Sequence, residues 1–390
     1  MKLMGYLREN GQFGIRNHVL VIPTSVCSSE TATRIASLVP GAIAIPHQHG
    51  CCQIGSDIEL TAKTLIGFGK NPNVAAVLVV GLGCDGIQAK DLSSEIATTG
   101  KKVDYVVIQE CGGTLKTVSK GAEIVGKMAR EVSKEVRVEF DMSEIILALE
   151  CGGSDPTSGI ASNPSIGVAS NLLIDEGGSS ILSETTEVIG AEHLLATRFE
   201  DGKMKDKFLK FVSDVEKRAI TMGEDLRSGQ PTPGNKAGGL STIEEKSLGC
   251  MYKAGNKPFK GALEYADTVP TDKKGLYFMD TPGQDIDSIT GMVAGGAQIV
   301  IFSTGRGTPT GSPISPVIKI TGNSDTYNKM PDNIDINAGR IITDGAKIAD
   351  IGQEVFNEIV EVCNGKHTKA ESLGHREFGI YRISSTFRLQ

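Results

Sequence analysis

Short apolar segments recur along the chain, and each runs into a turn rich in glycine or polar residues before a helix-like stretch begins. These segments lie at residues 19–23, 42–46, 75–80, 105–108, 145–149, 180–182, 275–279 and 298–302. Near-continuous apolar strands that alternate with helices form parallel sheets covered on both faces. The sequence therefore predicts an α/β fold of two Rossmann-like parallel-sheet domains with helices on both faces, and sites at the carboxyl ends of the strands.

The length of the chain indicates more than one domain. Its 390 residues exceed the roughly 150 of an ordinary domain. We predict an N-terminal α/β domain over residues 1–142 and a C-terminal α/β domain over residues 143–390. The second domain is expected to carry a polar insertion at about residues 200–260.

Charge and hydropathy exclude several classes of partner. The chain has 47 acidic against 40 basic residues and a net charge of -7, which argues against a broad cationic surface for nucleic acid. Its apolar runs fall short of the roughly 20 residues of a membrane-spanning helix, and its start lacks the apolar stretch of a signal peptide. We expect a cytoplasmic oligomer with neither nucleic acid nor a membrane as a partner.

The positions of the eight cysteines point to a site rather than to a core. Those that directly follow a strand-like segment are Cys27, Cys51, Cys84, Cys111 and Cys151. A disulfide framework is disfavoured in a reducing compartment, and cysteines that only fill a core would lie inside the apolar runs. At least two of these cysteines are therefore assigned to a site. The alternative, that a tight turn merely tolerates a small residue, is our interpretation of Cys52 and Cys111.

The segment His47-Gln48-His49-Gly50-Cys51 places two imidazoles and a thiol in one glycine turn. Imidazole and thiolate both bind iron or zinc well. A lone histidine is usually structural, so the signal depends on the pair. The paired CxxC motifs of a structural zinc site are absent from this segment.

The densest group of polar side chains runs from Glu150 to Asp155 and continues to Pro164. Gly152 and Gly153 would let backbone N–H groups approach an anion, and the two carboxylates could bind a metal or transfer protons. Farther along, Arg306 stands between glycines, where it could grip a carboxylate with two hydrogen bonds; a solvent-exposed turn arginine is the alternative. The glycine-rich turn after Glu150 does not fit GxGxxG, and the sequence contains no GxxxxGK[ST], so a nucleotide site is poorly supported there.

Taken together, these motifs resemble those of the altronate/galactarate dehydratase family, which includes the large subunit of (2R)-sulfolactate sulfo-lyase. The matching segments span nearly the whole chain in order. They are Gly5-Tyr6-Leu7-Arg8, Gly14-Ile15-Arg16-Asn17, His47-x-x-Gly50-Cys51, Asn71-Pro72-Asn73, Gly81-Leu82-Gly83-Cys84, Cys151-Gly152-Gly153-Ser154-Asp155, Ser158-Gly159, Asn163-Pro164, Pro233-Gly234-Asn235-Lys236, Glu244-Glu245-Lys246, Thr304-Gly305-Arg306-Gly307 and Asp335-Ile336-Asn337-Ala338-Gly339.

The chain departs from the family pattern at two places. Single-chain members carry a small domain of about a hundred residues before the Gly-Tyr-x-Arg segment, which here begins at Gly5. The resemblance therefore implies the large subunit of a two-subunit enzyme, with the small domain on a separate chain. Many relatives also have Glu where this chain has Asp85, and no substrate preference is inferred from that change.

The resemblance implies a metal-dependent lyase acting on a hydroxy acid. We predict elimination of water from an altronate-type sugar acid to give a 2-keto-3-deoxy acid; the alternative is release of sulfite from (2R)-sulfolactate to give pyruvate. The implied cofactor is Fe²⁺ or another divalent metal such as Mn²⁺. Its candidate ligands are His47, Cys51, Cys84 and Cys151. Other readings are an iron–sulfur cluster on Cys27, Cys51 and Cys84, and a scaffold that only binds a small acid.

The remaining assignments concern the base and the substrate contacts. The candidate catalytic residues are His49, Asp155 and Glu150, the first two being preferred as the base. Arg16, Lys246 and Arg306 would hold the carboxylate or sulfonate, and Ser154, Asn163 and Asn235 would bind hydroxyl groups. Asn17, Gly152, Gly153 and Thr304 complete the candidate substrate site.

Overall fold

The computed structural model describes residues 1–384 and confirms the predicted α/β fold. The strands are β1 (Lys2–Leu7), β2 (Phe13–Gly14), β3 (His18–Pro23), β4 (Ala42–Ala44), β5 (Val74–Gly81), β6 (Lys102–Val107), β7 (Val138–Asp141), β8 (Ile146–Gly152), β9 (Ser179–Leu182), β10 (Phe259–Leu263), β11 (Leu276–Met279), β12 (Ile299–Thr304), β13 (Val317–Thr321) and β14 (Ile336–Asn337). The helices are α1 (Val26–Ser37), α2 (Gly55–Lys70), α3 (Ala89–Ala97), α4 (Ile108–Cys111), α5 (Thr114–Val132), α6 (Asn163–Asp175), α7 (Glu192–Ala196), α8 (Gly202–Thr221), α9 (Leu226–Gly229), α10 (Pro233–Ala237), α11 (Ile243–Met251), α12 (Asp285–Ala294), α13 (Ser324–Lys329), α14 (Arg340–Thr343), α15 (Ile348–Cys363) and α16 (Lys369–Ser372).

Two parallel sheets form the two halves of the molecule. The N-terminal sheet has four strands in the order β4-β3-β5-β6, and the C-terminal sheet has seven in the order β10-β11-β9-β8-β12-β13-β14. Both have the near-continuous apolar strands that a sheet covered on two faces requires; all eight residues of β5 and all seven of β8 are buried. Among the described helices, none is long and apolar enough to cross a membrane.

A small antiparallel sheet joins the two halves. Its order is β2-β1-β7, so the start of the chain pairs with the strand that directly precedes the C-terminal half. We propose residues 142–143 as the boundary, because β7 still belongs to this joining sheet and β8 is the first strand of the seven-stranded sheet.

The segment predicted as a polar insertion, residues 200–260, is built into the C-terminal half. It contains α8 to α11 and leads into the edge strand β10. The outer surface of α8 is polar, but Phe208, Phe211 and Val212 join a buried cluster with residues of β10 and β11. Because this segment contributes core residues, it also carries side chains to the interior of the C-terminal half.

Asn71 and Asn73 fasten the N-terminal half to the C-terminal half. The Asn71 amide donates to the carbonyl oxygens of Val293 (2.9 Å) and Ala297 (3.0 Å). The Asn73 amide donates to those of Gln298 (2.8 Å) and Ile314 (3.0 Å). Both side chains are buried, so each one satisfies backbone groups that have no access to water.

Asn73 also accepts a hydrogen bond from the Ile15 N–H (2.9 Å). Replacing Asn73 with alanine leaves that N–H and two buried carbonyl oxygens without a hydrogen-bond partner at the same time. We expect Asn73→Ala to lower the free energy of unfolding by about 3 kcal/mol, since each buried group left unpaired costs about 1–3 kcal/mol. Urea unfolding measures the change. Asn10→Ala, at an exposed position, is the control; an equal effect of the two substitutions would contradict the assigned role of Asn73.

Candidate active site

Carboxylate side chains gather at the carboxyl ends of adjacent strands in the seven-stranded sheet. Glu150 and Cys151 lie at the end of β8, and Glu184 and Glu187 follow β9, which is paired with β8. Asp285 begins α12, after the turn that follows β11. Because parallel strands end at the same edge of a sheet, five side chains from three separate segments lie together.

One cluster consists of Cys151, Glu187 and Cys250, all of them buried. The Cys151 and Cys250 thiols each donate to Oε2 of Glu187, with Sγ–Oε2 distances of 2.7 Å. The two sulfur atoms are 3.5 Å apart. Cys250 reaches this position from α11, in the segment that was predicted to be a polar insertion.

A second cluster consists of Glu150, Glu184 and Asp285, whose carboxylate oxygens also lie within 4.8 Å of one another. The Ser288 hydroxyl donates to Glu150 (2.6 Å). Burial and the neighbouring charge of Glu184 raise the pKa of Glu150 well above its usual range. Burial, with the Glu187 charge added, raises the pKa of Asp285 to about 6.

Two lysines neutralise part of this buried charge. Lys246 Nζ is 2.6 Å from Glu187 Oε1, and Lys253 Nζ is 3.3 Å from Glu184 Oε2. Burial alone would raise the pKa of Glu187, but the two ammonium groups, together with the hydrogen bonds from the Cys151 and Cys250 thiols, outweigh burial and lower that pKa to about 2. For Glu184, burial and the charge of Glu187 prevail over Lys253 and raise the pKa to about 7.

These groups border a cavity of about 400 Å³. It is lined by Cys151, Gly152, Gly153, Ser154, Glu187, Thr232, Gly234, Asn235, Lys246, Gly283, Asp285 and Arg306. A smaller cavity of about 200 Å³ shares Ser154 and Lys246 with it and extends along Asn163, Cys250 and Tyr252. Gly152 allows Asp285 into the wall, because a Cβ at Gly152 would lie 2.2 Å from Asp285 Oδ2.

The Cys151–Glu187–Cys250 cluster has the composition of a transition-metal site. Thiolate and carboxylate are both ligands of divalent iron and zinc, and an ion would take the place of the two thiol protons that now point at Glu187. Glu150 Oε1 and Glu184 Oε1, close by, have no hydrogen-bond partner within residues 1–384. The structure therefore contains buried clusters that are compatible with a metal.

Most of the residues predicted to bind substrate come together at these cavities. Gly152, Gly153, Ser154, Asn235, Lys246 and Arg306 line the larger one, and Asn163 lines the smaller one. The Gly153 carbonyl accepts from the N–H groups of Gly305 (3.2 Å) and Arg306 (3.0 Å), which holds the arginine turn at the cavity. Thr304 is buried beneath that turn and accepts from the Gly307 N–H (2.9 Å).

Arg16 and Asn17 lie elsewhere, in contacts that leave no group for a substrate. The Arg16 guanidinium pairs with both carboxylate oxygens of Glu371, at 2.7 and 2.9 Å, and donates to three backbone carbonyls. Asn17 accepts from Arg8 (2.7 Å) and donates to the Val132 carbonyl (3.3 Å). Both residues therefore fasten structural elements together.

The three candidate catalytic residues occupy different surroundings. His49 lies in the loop after β4, with Nε2 3.1 Å from the Ile380 carbonyl oxygen. Asp155 accepts hydrogen bonds from the side chains of Thr157 (2.6 Å) and Asn323 (3.1 Å), and it lines only the smaller cavity. Glu150 is fully buried beside the larger cavity and does not line it.

The four candidate metal ligands do not form one group. Cys151 lies at the carboxyl end of β8 in the seven-stranded sheet. His47, Cys51 and Cys84 instead follow strands of the four-stranded sheet. Both His47 ring nitrogens are engaged: Nε2 lies 2.8 Å from the Pro23 carbonyl oxygen and Nδ1 accepts from the His49 N–H (3.1 Å). His47 is thus a brace for its loop.

The sequence reasoning did not assign Glu184, Glu187, Cys250, Lys253 and Asp285 to the site. Glu184 and Glu187 carried a usable signal, because they follow an apolar strand-like run just as Glu150 does. Asp285 lies five residues after Asp280, which ends another such run. Cys250 and Lys253 carried no local signal, since long-range packing alone brings α11 and the turn after it to the strand ends.

The buried Lys253–Glu184 pair gives a direct test of this electrostatic arrangement. We expect Lys253→Met to lower the free energy of unfolding by about 3 kcal/mol, because it removes one partner of a buried ion pair. The double variant Lys253→Met/Glu184→Gln should regain most of that loss, since it leaves no unpaired charge. Chemical denaturation of both variants measures the difference; a double variant no more stable than Lys253→Met would contradict the pairing.

Two family models match the chain. Residues 5–133 match the model described as D-galactarate dehydratase/altronate hydrolase, second domain. Residues 142–386 match the model described as D-galactarate/altronate dehydratase, C-terminal. The second match contains every residue of the cavity described above.

Similar proteins of known name cover almost the entire chain. The (2R)-sulfolactate sulfo-lyase subunit beta of Chromohalobacter salexigens is 37% identical over 387 residues, which is 97% of each chain. The altronate dehydratases of Bacillus subtilis and Escherichia coli are 33% and 34% identical over 98% of this chain and 78% of their own length. The chain therefore belongs to the D-galactarate/altronate dehydratase family and is a lyase.

Proposed function

We propose that the chain is the large subunit of a metal-dependent lyase that removes water from an altronate-type sugar acid to give a 2-keto-3-deoxy acid. The observation that carries this proposal is the pairing of charges in the 400 Å³ cavity. Lys246 is neutralised by Glu187, whereas the Arg306 guanidinium forms no ion pair or side-chain hydrogen bond within residues 1–384. Among the cavity residues within 1–384, Arg306 is thus the cation left for a substrate carboxylate, which suits an acid with one such group.

The cavity wall can also bind the hydroxyl groups of a sugar acid. Ser154, Thr232 and Asn235 line it together with Arg306, and hydroxyl and amide side chains both donate and accept hydrogen bonds. Asn235 is itself fixed, because its amide donates to the Ser154 carbonyl (2.8 Å). The carboxylate would lie on Arg306 with the hydroxyl-bearing carbons toward these groups.

Cys151, Glu187 and Cys250 would hold the metal. We propose Fe²⁺ in preference to Mn²⁺, because thiolate ligands favour iron, whereas manganese prefers oxygen ligands. When bound, the ion would supply a Lewis acid that stabilises the negative charge developing on the substrate. Lys246 lies beside Glu187 and Lys253 beside Glu184. Their positive charges would favour the ionised form of these two carboxylates.

Asp285 is the proposed base. It is half-buried, lines the cavity and forms no ion pair within the described chain, so its carboxylate is available to a substrate. It would take the proton from the carbon beside the substrate carboxylate. The hydroxyl on the next carbon then leaves with a proton, so that one water is lost and the resulting enol becomes the 2-oxo acid.

The role of Asp285 can be tested by an isosteric change. We expect Asp285→Asn to lower kcat by roughly 10²- to 10⁴-fold with little change in KM, since an amide cannot accept the proton. Asp287→Asn is the matched control: it alters the same turn of α12 but lies outside the cavity lining. If the two variants lose activity equally, the base lies elsewhere.

A second candidate function is release of sulfite from (2R)-sulfolactate to give pyruvate. It is favoured by the relative named (2R)-sulfolactate sulfo-lyase subunit beta, which aligns over 97% of each chain. Sulfolactate carries two anionic groups, so this reaction would require Lys246 to exchange Glu187 for the sulfonate.

The same relative supports a separate small subunit, because its name describes one of two subunits. We propose that the small subunit completes the enzyme, and that the enzyme works in the cytoplasm, where the eight cysteines would remain the free thiols found here.

A substrate assay tests the proposed function. The chain, alone and with a co-expressed small subunit, is incubated anaerobically with Fe²⁺ and either altronate or sulfolactate, and 2-oxo acid and sulfite are measured. We expect 2-oxo acid from altronate without sulfite. Sulfite and pyruvate from sulfolactate would establish the second candidate instead. Binding of both acids without any product would reject both reactions.

A further inference from the structure

Four cysteines are exposed at the carboxyl edge of the four-stranded sheet, away from the cluster that contains Cys151. They are Cys27, Cys51, Cys52 and Cys84, called here the exposed cysteine cluster. Cysteine is among the most buried residue types in proteins, and an accessible thiol is open to oxidation. Several exposed thiols at one edge therefore call for a chemical explanation.

The three segments that carry these cysteines, the first turn of α1 and the loops after β4 and β5, are tied to one another. The Val26 N–H donates to the His49 carbonyl (2.8 Å), which joins the loop after β3 to the loop after β4. The Gly86 N–H donates to the Gly50 carbonyl (3.0 Å), which joins the loops after β4 and β5. The cysteines are thus held on a fixed frame rather than on independent turns.

Asp85 is the central acceptor of this frame. Its carboxylate accepts from the Ser25 hydroxyl, in the loop after β3, and from the N–H groups of Leu82 (2.7 Å) and Gly83 (3.1 Å) in its own loop. These bonds hold Cys27 and Cys84 at a set separation, since each lies within two residues of a group bonded to Asp85.

The loop that carries Cys51 packs closely against the turn that precedes α1 and Cys27. Gly50 has φ +88°, and a Cβ there would lie 2.0 Å from the Thr24 carbonyl oxygen, so only glycine allows this approach. Cys52 also has a positive φ, of 53°. A non-glycine residue in this conformation costs free energy, and such costs concentrate at functional sites.

Two of the four sulfur atoms are close neighbours, and the other two are farther away. Cys51 Sγ and Cys52 Sγ are 3.7 Å apart, and Cys27 and Cys84 lie near enough for their charges to repel a charge on Cys51. Sulfurs that share one tetrahedral ion at about 2.3 Å lie about 3.8 Å from one another. Among the described residues, no three of these cysteines have their sulfurs within 4.8 Å of one another. The spacing is too wide for a single ion.

We propose that Cys27, Cys51 and Cys84 bind an iron–sulfur cluster at the carboxyl edge of the four-stranded sheet. Cysteine thiolates are the usual ligands of such clusters, and a cluster spans sulfur atoms that stand too far apart for one ion. Three ligands, one from the first turn of α1 and two from the loops after β4 and β5, leave one iron of a four-iron cluster open to an external ligand. Cys52 and His47 are positioning residues for the loop of Cys51.

This cluster is independent of the proposed function. Its ligands belong to the N-terminal half, whereas Cys151, Glu187 and Cys250 belong to the C-terminal half. Either site can therefore fail its test without affecting the other.

The test measures the bound cluster directly. The full chain is reconstituted anaerobically with Fe²⁺ and sulfide, and iron, acid-labile sulfide and visible thiolate-to-iron absorption are measured per chain. We expect about four iron and four sulfide. Cys27→Ser, Cys51→Ser and Cys84→Ser should each lose at least nine-tenths of the sulfide and the visible absorption. Their circular dichroism should be unchanged, since these side chains are exposed.

Two control variants separate the possible outcomes. Cys111→Ser changes a cysteine at the same edge that packs partly against the core, and Cys151→Ser changes the proposed metal site; both should keep the full sulfide content. The proposal is overturned if the wild-type chain binds iron without sulfide or forms a Cys51–Cys52 disulfide instead. Full retention of the cluster by Cys27→Ser, Cys51→Ser or Cys84→Ser would also overturn it.

Discussion

The buried charges at the strand ends of the seven-stranded sheet are the constraint around which the C-terminal half is organised. Within residues 1–384, the ion pairs to Glu150, Glu184, Glu187 and Asp285 come from two lysines, Lys246 and Lys253. Because removing carboxylates from water is costly unless they are paired, this imbalance leaves some of them protonated or in need of a further cation. The arrangement sacrifices stability to keep several proton-accepting groups beside one cavity.

The fold could be predicted from the sequence because its signals are local. Each apolar run and the turn after it lie within about ten residues, and strands such as β5 and β8 need no distant information to be recognised. The same holds for Gly152, Ser154 and Arg306, which follow strands and line the cavity. Prediction of side-chain contacts from the sequence failed where the partner lies far along the chain. Glu371 is 355 residues from Arg16, and Cys250 is 99 residues from Cys151.

The two sheets use the same edge for different chemistry. At the carboxyl edge of the seven-stranded sheet, thiols, carboxylates and lysines are buried beside a cavity. At the carboxyl edge of the four-stranded sheet, thiols are exposed at the start of α1 and on the neighbouring loops, where Asp85 accepts hydrogen bonds that hold the segments together. Cysteines follow strand-like segments in both halves of the sequence, and the prediction therefore grouped them into one set of metal ligands. Spacing along the chain could not separate them, because it does not say which strands share a sheet.

The buried amides of Asn71 and Asn73 restrict how a substrate can enter. A single apolar core also runs across both halves, with Leu20 and Val77 of one packed in the same cluster as Ala148 and Val300 of the other. Hinge bending between the halves would break both features, so a substrate must reach the cavity while the two halves stay packed together. The short helix α10 lines the cavity with Gly234 and Asn235, and the Asn235 amide donates to the Ser154 carbonyl.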